Sequence, residues 1–382
     1  MENILFLHAG SELYGADIIL YNLVKNIDKT KYNVYVILPS YGPLVDKIRS
    51  ENIYCEVINY PILRRKYFSL KGIIYYLKNY KKRSDQIYNL IKNKNITIIH
   101  NNTLAVLEGI YLKHKLKAKL IVHVHEIIKN PKWFGPMLTK LFGLQCDYFV
   151  CVSNAVAKEL NPYVKNKEKV MVIYNGIDNT KFHPNYSVEP LRKEFNIPEN
   201  SLVIGMIGRI NSWKGQDDFL DSIVPLLIKY KKTYALIVGG VFAGEEWRYD
   251  KLKEKINIFN LDVNNRIIFS DFRLDNYLIH NLIDIFILPS INPDPLPTVV
   301  LESMASGKPI VAYKHGGVCE MVNNHENGIL VSPRDTVKLS EAIEKLIIDE
   351  QTRKQMGENS LKREVKYFSI QKQLEEFYKI YG

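Results

Sequence analysis

The stretch LVIGMIGRINSWKGQDDFL (202–220) sets the fold that we expect for this chain. It begins with a short apolar run, continues through a polar loop, and enters a helix from about Gln216. A buried strand followed closely by a helix is the unit from which parallel sheets with crossover helices are built. The same alternation recurs on both sides of this stretch, and it predicts an α/β protein.

Short apolar runs alternate with longer amphipathic stretches along the whole chain. Before the quoted stretch lie ILFL (4–7), VYVIL (34–38), ITIIH (96–100), KLIVHVH (119–125), YFVCV (148–152) and VMVIYN (170–175). After it lie ALIVGG (235–240), RIIF (266–269), DIFILPS (284–290) and PIVAY (309–313). Two such series predict two doubly wound parallel-sheet domains. A polar segment with Pro184 and Pro190 separates them, so we expect domains over 1–183 and 184–365.

The composition is that of a folded protein, and it excludes several other classes. Of 382 residues, 46% are apolar and 24% are charged. No apolar run reaches the roughly 18 residues that a membrane span needs, and the start MENILFLHAG lacks the basic region of a secretory signal. The cysteines show no metal-site spacing and are expected to be reduced thiols of a cytoplasmic protein; they are Cys55, Cys146, Cys151 and Cys319.

The positive charge is concentrated in the first half of the chain. Residues 1–180 hold 26 Lys and Arg against 14 Asp and Glu, whereas residues 181–382 hold 26 against 27. The excess is greatest in PILRRKYFSLKGIIYYLKNYKKR (61–83), and no acid occurs between Glu56 and Asp85. A basic, aromatic surface suits phosphates or an anionic membrane. An ordinary solvated helix face in a Lys-rich protein has the same sequence pattern. Charge alone would also suit nucleic acid, but no nucleic-acid-binding motif is present, so no such partner is expected.

Two loops that follow strands in the first half could belong to a site, because ligands of such folds bind at the carboxyl ends of the strands. The loop HAGSELYGAD contains Gly10 and Gly15 but neither a dinucleotide fingerprint nor a P-loop. The segment HVHE places His123 and His125 on one face of a strand. These histidines could be a metal pair, polar site residues or hydrogen-bonded core residues.

Two loops in the second half carry charges in a more informative pattern. In GRINSWKGQDD, Arg209 and Lys214 flank a turn before a helix, which is typical of a phosphate clamp but also of an ordinary surface loop. In PSINPDPLPTVVLESMASGKP, Pro297 suits the first turn of a helix that Asp294 precedes. Glu302 lies in the apolar part of that helix, where a carboxylate needs a partner. The spacing allows either a paired site or one capping Asp and one exposed Glu.

Together these segments identify the chain as resembling the retaining glycosyltransferases of family 4, which have the GT-B architecture. The resemblance rests on PSINPDPLPTVVLESMASGKPIVA, HGGVCEMVNNHENGILVSPRD, GRINSWKGQDDFL and the pair VSNAVAKEL and VIYNGIDNTKFHP, in the family's order. It implies two Rossmann-like domains facing across a cleft. The N-terminal domain would bind the acceptor and the C-terminal domain the nucleotide-sugar donor. A last helix, at about 366–382, would pack back onto the first domain.

The resemblance also implies roles for individual residues. Asp294 takes the place of the first carboxylate of the family's Glu-x7-Glu motif, which approaches the donor sugar, and Glu302 takes the place of the second, which binds the ribose. Pro295 stands where the family usually has Gly. The other implied donor-binding residues are Gly10, Gly15, Arg209, Lys214, Leu296, Pro297, Thr298 and Val299. The implied catalytic residues are His125, with His123 as the alternative, together with Asp294, Arg209 and Lys214.

The resemblance implies a front-face reaction with retention, without a metal, a cofactor or a protein nucleophile. The donor would be a UDP- or GDP-sugar, and the acceptor a glycan or lipid-linked glycan of a cell-surface polysaccharide, reached at the inner face of the cytoplasmic membrane. Two alternatives stay open. The chain could be a catalytically degenerate binder of nucleotide-sugar that partners another transferase, or a related GT-B epimerase.

Overall fold

The computed structural model describes residues 1–64, 67–259 and 261–382, and of Leu261 it describes the backbone alone. The chain divides into two compact units. Unit 1 comprises Met1–Gly176 and Ile370–Gly382, and unit 2 comprises Ile177–Ser369. Arg65 and Lys66 of the basic stretch lie outside the described residues.

Unit 1 is built on a parallel sheet of seven strands in the order β3-β2-β1-β4-β5-β6-β7. The strands are β1 (Glu2–Leu7), β2 (Tyr32–Leu38), β3 (Tyr54–Val57), β4 (Ile98–Asn101), β5 (Lys119–Val124), β6 (Tyr148–Cys151) and β7 (Val170–Val172). The helices between them are α1 (Gly15–Asn26), α2 (Pro43–Ser50), α3 (Leu70–Ile91), α4 (Glu108–Leu116), α5 (Phe134–Gln145) and α6 (Asn154–Leu160). The apolar runs of the central strands are almost entirely buried, because helices cover both faces of such a sheet.

Unit 2 has a second parallel sheet, of six strands in the order β10-β9-β8-β11-β12-β13. The strands are β8 (Leu202–Ile207), β9 (Thr233–Val238), β10 (Ile267–Ser270), β11 (Ile285–Leu288), β12 (Ile310–Tyr313) and β13 (Gly328–Val331). The helices are α7 (Glu189–Glu194), α8 (Gln216–Lys229), α9 (Trp247–Asn257), α10 (Leu261–Asn264), α11 (Asn276–Leu282), α12 (Thr298–Ala305), α13 (Val318–Met321), α14 (Thr336–Ile348) and α15 (Glu350–Tyr367). The prediction of two doubly wound parallel-sheet domains is therefore confirmed.

The apolar runs did not predict two of the strands, β3 and β13. Each lies at the edge of its sheet and pairs with one neighbour only. The sequence of β3, YCEV, includes the charged Glu56, and only Cys55 in it is fully buried. In β13, Gly328 lies so close to β12 that a Cβ atom there would be 2.1 Å from the carbonyl oxygen of Ile310. The sequence of β3 therefore lacks an apolar run, whereas that of β13, GILV, is apolar and mostly buried but only four residues long.

The division between the units falls after Gly176, not after residue 183 as the proline-containing segment suggested. The backbone explains the difference, because the N–H of Ile177 donates to the carbonyl of Phe368 at the end of α15 (2.8 Å). After a break at Ser369 the chain enters α16 (Ile370–Tyr381), which belongs to unit 1. There the Tyr381 hydroxyl lies 2.7 Å from Nδ1 of His100 in β4.

Candidate functional site

The loops after β8 and β11 adjoin, because these strands are neighbours and parallel in the sheet of unit 2. The N–H of Ile291 donates to the carbonyl of Trp213 at 2.7 Å, which ties one loop to the other. Gly215 has a φ of +82°, and a Cβ atom there would lie 1.9 Å from the carbonyl oxygen of Pro289. Only glycine allows this approach, so the glycine before α8 fixes the spacing of the two loops.

A largely buried ion pair joins these two loops. Nζ of Lys214 lies 2.8 Å from Oδ1 of Asp294, and both side chains are largely buried. Oδ1 of Asn211 accepts from the N–H groups of Trp213 (3.1 Å) and Lys214 (3.0 Å), which holds the turn that carries the lysine. The other oxygen of Asp294, Oδ2, is buried and accepts no hydrogen bond within the described part of the chain. The pair therefore presents a cation and an acceptor oxygen with unused capacity.

Arg209 lies on the same loop as Lys214 but is held differently. Its guanidinium carbon lies 3.8 Å from the centre of the Phe242 ring, a cation–π contact. Its carbonyl accepts from the side-chain amide of Gln216 at 3.0 Å, at the start of α8. The structure thus brings Lys214 and Asp294 together, and it places the guanidinium of Arg209 on an aromatic ring of the loop after β9.

The start of α12 offers backbone donors beside Asp294. Pro297 is the residue before the helix, not part of its first turn as the sequence suggested. Within the described residues, the N–H groups of Leu296, Thr298 and Val299 donate no hydrogen bond. Unpaired N–H groups and the helix dipole make such a helix start attractive to anions. Pro295 has no N–H to add to this set.

Two glycines shape the loop that carries Asp294. Gly316 has a φ of +65°, and a Cβ atom there would lie 2.4 Å from the carbonyl oxygen of Asp294. At Gly317 a Cβ atom would lie 2.0 Å from the carbonyl oxygen of Pro295, and its N–H donates to the carbonyl of Asp294 at 2.8 Å. In the sequence this glycine pair is prominent only as part of the resemblance. The structure shows that the loop after β11 packs directly against this glycine pair.

Glu302 is held by two residues that the sequence analysis did not identify. Its Oε2 accepts from the side-chain amide of Asn276 at 2.8 Å and lies 3.0 Å from Nε2 of His280. Both partners lie on α11, and His280 is fully buried. Oε1 of Glu302 has no hydrogen bond to the described residues, so one oxygen is fixed while the other can accept from a ligand. A histidine inside the apolar helix NYLIHNL was the only signal in the sequence.

In unit 1 the glycine loop after β1 leads to a buried carboxylate. Oδ1 of Asp17, in the first turn of α1, lies 2.7 Å from Nε2 of His8. Its Oδ2 accepts from the N–H of Tyr14 at 3.0 Å. A Cβ atom at Gly10 would lie 2.8 Å from Oδ1 of Asp17, so glycine leaves room for this carboxylate. Gly15 is the first residue of α1.

A chain of hydrogen bonds runs from Asp17 to His125. The side-chain amide nitrogen of Asn102 lies 3.1 Å from Nδ1 of His8, and its Oδ1 lies 3.1 Å from Nε2 of His125. Because the amide nitrogen only donates and its oxygen only accepts, Nε2 of His125 carries the proton and Nδ1 is left as an acceptor. Burial, and secondarily the rings of His8 and His100, hold the pKa of His125 well below its ordinary value. The ring is therefore neutral at pH 7.

His123 and His125 lie on the same face of the sheet, with ring centres 4.0 Å apart, as their spacing predicted. His123 is fully buried, and its Nδ1 lies 3.2 Å from Nε2 of His100. Burial, together with neighbouring histidines, holds the pKa of His123 well below its ordinary value. His123 is a core residue without exposed surface, whereas His125 is half-buried.

Glu126, the last residue of HVHE, has both carboxylate oxygens hydrogen-bonded to other groups of the chain. One of its oxygens accepts from the hydroxyl of Thr103, and the other accepts from the N–H of His125 at 3.1 Å. Burial raises the pKa of Glu126 despite these bonds.

Over residues 1–64, 67–259 and 261–382, no group of three or more His, Cys, Asp and Glu side chains is placed to hold a metal ion.

The two halves of the chain match two family models. Residues 14–181 match the model described as Glycosyltransferase Family 4, and residues 187–363 match Glycosyl transferases group 1. An uncharacterised glycosyltransferase of Methanocaldococcus jannaschii is 27% identical over 372 residues, which cover 92% of this chain and 90% of the relative. A lipopolysaccharide core biosynthesis mannosyltransferase of Rhizobium leguminosarum is 29% identical over 202 residues, 53% of this chain and 56% of the relative.

Solved structures show the same fold over the full chain. The Anabaena protein HepE, solved with UDP and glucose, has a TM-score of 0.82 at 23% identity and covers 100% of this chain and 99% of its own. A glycosyltransferase of Rickettsia africae has a TM-score of 0.84 at 24% identity and covers 100% and 97%. These likenesses establish the GT-B fold that the resemblance implied.

Proposed function

Since this chain belongs to the family 4 type of glycosyltransferases and has the GT-B fold, we propose that it transfers a sugar from a nucleoside-diphosphate donor, a UDP- or GDP-sugar, with retention of configuration. The observation that carries the proposal is the convergence of the Lys214–Asp294 ion pair with the unpaired N–H groups at the start of α12. A cation, an acceptor and backbone donors at the end of a parallel strand suit a charged diphosphate joined to a polyhydroxyl sugar.

The donor roles follow from the positions of these groups in unit 2. Lys214 and the N–H groups of Thr298 and Val299 bind the diphosphate, and Arg209 adds a second cation. Oδ2 of Asp294 accepts from a sugar hydroxyl, and Oε1 of Glu302 accepts from the ribose. As the bond between the sugar carbon and the phosphate oxygen breaks, negative charge grows on the leaving diphosphate. Fixed cations and N–H groups stabilise that charge without a metal ion.

The reaction needs no protein nucleophile in this scheme. The acceptor oxygen bonds to the sugar carbon on the face from which the diphosphate leaves, and the departing phosphate oxygen takes the acceptor proton. The transferred group is a hexosyl or N-acetylhexosaminyl unit. His125 is assigned beside the transferred sugar, a role that suits a neutral ring with Nδ1 as an acceptor.

The acceptor is proposed to be a glycan or lipid-linked glycan that unit 1 binds during synthesis of a cell-surface polysaccharide. The excess of 26 basic over 14 acidic residues in positions 1–180 suits a pyrophosphate-linked acceptor and the anionic inner face of the cytoplasmic membrane. The Rhizobium relative, named for lipopolysaccharide core synthesis, belongs to the same kind of pathway.

A second candidate function is a catalytically degenerate binder of nucleotide-sugar that partners another transferase. Pro295 favours it, because a residue without an N–H follows Asp294 in the loop that would position the sugar. The side chain of Asp294 is also shorter than the family's glutamate.

The test begins with a thermal-shift panel of UDP-, GDP-, ADP- and dTDP-sugars, with and without a chelator. A ligand that binds only the folded state raises the midpoint by mass action. The donor that shifts the midpoint is then assayed with lipid-pyrophosphate-linked acceptors, and NMR reads the anomeric configuration of the product. Metal-independent transfer with retention supports the proposal. A bound donor that no acceptor consumes favours the degenerate binder, and inversion or dependence on a metal contradicts the mechanism.

A further inference from the structure

The first turns of α3 expose an apolar stripe. Its side chains lie at spacings of three, four and seven residues, so they share one face of the helix; they are Leu70, Ile73, Ile74 and Leu77. The face that α3 buries in unit 1 is a different one, formed by Tyr76, Ser84, Ile87 and Ile91. A helix normally turns its apolar stripe toward the core, so the exposed stripe needs a partner outside the chain.

A second exposed apolar stripe lies on α5 and the residue before it. It consists of Trp133, Met137, Leu141 and Leu144. Phe68, just before α3, joins the two stripes, because its ring centre lies 5.2 Å from that of Trp133 and 4.8 Å from that of Phe134. The eight side chains of the two stripes, between 37% and 80% exposed, are called the α3–α5 surface here.

The segments that carry this surface contain no acidic residue. None occurs between Glu56 and Asp85 or between Glu126 and Asp147. Exposed lysines accompany the apolar side chains in both segments; they are Lys71, Lys78, Lys81, Lys82, Lys129, Lys132 and Lys140. Apolar side chains flanked by cations alone are complementary to a layer with anionic headgroups over an apolar interior.

We propose that the α3–α5 surface docks on an anionic lipid bilayer, with its apolar side chains in the boundary between headgroups and acyl chains and its lysines at the headgroups. Among the described residues, no helix has the length and the apolar character that spanning a bilayer requires. A second copy of the chain fits less well. A two-fold interface through these segments would set the same lysines against each other, and neither segment supplies an acidic residue to pair with them.

This inference deepens the proposed function, because it places the transferase where a lipid-linked acceptor resides. The two claims fail separately. Vesicle binding is measured without any sugar substrate, and transfer can be measured on a detergent-dispersed acceptor without vesicles.

The experiment is flotation of the full chain with vesicles of phosphatidylcholine alone or with about one third phosphatidylglycerol. The apolar variant combines Leu70→Ser, Ile74→Ser and Leu144→Ser. Its control removes three equally exposed apolar residues of unit 2, by Leu274→Ser, Val337→Ser and Ile348→Ser. The charge variant combines Lys71→Gln, Lys78→Gln and Lys82→Gln, and its control combines Lys232→Gln, Lys251→Gln and Lys362→Gln. All of these side chains are exposed, so folding is expected to persist.

The wild-type chain is expected to float only with the anionic vesicles. The apolar variant should lower the partition coefficient by roughly tenfold or more for each side chain removed, and the charge variant by roughly fivefold for each lysine. Both controls should float like the wild type. The proposal is overturned if the wild type stays unbound, if the controls lose as much binding as the variants, or if light scattering shows a dimer that the apolar variant dissociates.

Discussion

Nζ of Lys214 lies 2.8 Å from Oδ1 of Asp294, so the cation assigned to the donor diphosphate is paired with the carboxylate assigned to the donor sugar. Both side chains are largely buried, and a buried charge that loses its partner is strongly destabilising. On this assignment the pair is expected to have two functions. It keeps two charges in place before the donor arrives, and it holds them close enough for one ligand to bind both.

Replacing Lys214 by alanine is expected to lower kcat by roughly 100- to 1,000-fold, the range typical for losing one group that stabilises developing charge. Lys214→Arg should retain a larger share of activity because the positive charge stays. Lys229→Ala is the matched control, since Lys229 forms an equally short ion pair, with Glu344, on the exposed surface. Steady-state kinetics with the donor found by thermal shift measure the effect. Near-normal turnover of Lys214→Ala would remove this residue from the catalytic assignment.

Replacing Glu302 by glutamine is expected to reduce the discrimination between a ribonucleotide and its deoxy analogue, because the amide can still hydrogen-bond to a hydroxyl but the negative charge is lost. Asn276 and His280 hold Oε2 of Glu302, so Oε1 is the oxygen expected to accept from the ribose. Because hydrogen bonds to charged groups contribute about 1.5–3 kcal/mol, wild-type protein should prefer the ribonucleoside diphosphate by roughly tenfold or more. Calorimetric titration with both nucleotides measures the preference. An unchanged preference in Glu302→Gln would mean that Glu302 does not read the ribose.

The central strands of both sheets could be predicted from the sequence, because a strand covered on both faces needs a nearly continuous apolar run. The strands β3 and β13 were not predicted, for different reasons: YCEV contains no continuous apolar run, whereas GILV is apolar and mostly buried but only four residues long. The boundary between the two units, after Gly176, could not be predicted from the sequence either. It depends on a backbone hydrogen bond between Ile177 and Phe368, which composition does not reveal.

Glu302 could be proposed as a candidate from its place in the apolar part of α12, and most other candidates because they lie in segments that follow strands. Asp294, Lys214 and His125 all lie in such segments, which a series of apolar runs locates. The residues that hydrogen-bond to the candidate side chains could not be predicted from the sequence. His280 is 22 positions from Glu302, and Asn102 is 94 positions from His8, so these contacts exist only once the chain is folded. Sequence spacing identifies residues that share one helix or strand. It does not identify their partners on a different helix or strand.

Gly317→Ala is expected to weaken donor binding by at least about tenfold, because the new Cβ would lie 2.0 Å from the carbonyl oxygen of Pro295 and displace the loop that carries Asp294. Gly240→Ala is the control in the same unit, since its Cβ would meet nothing closer than 3.8 Å. Titration of donor and thermal unfolding of both variants give the comparison. If Gly317→Ala binds donor as well as Gly240→Ala does, the loop does not depend on this packing.

Unit 1 buries groups whose titration makes its stability depend on pH in both directions. Burial lowers the pKa of His100 to about 3 and holds those of His123 and His125 well below the ordinary value of 6.5. The unfolded chain takes up these protons below about pH 6.5 and the folded chain does not, so stability falls as the pH falls. Burial raises the pKa of Glu108 from 4.5 to about 8. The folded chain keeps this proton, so stability falls as the pH rises from 4.5 through 8.

Below about pH 6.5 the effect of the three histidines on stability exceeds the opposite effect of Glu108. Above about pH 6.5, Glu108 is the only one of these four groups whose titration changes stability. Glu108→Gln is therefore expected to remove a loss of about 1.4 kcal/mol per pH unit between pH 6.5 and 8. The urea midpoint of each protein, followed across this range, measures the slope. Glu364→Gln in unit 2 is the matched comparison, because burial raises the pKa of Glu364 only to about 7 and its loss should end sooner. Parallel pH profiles for wild type and Glu108→Gln would show that Glu108 is already ionised in the folded chain at neutral pH.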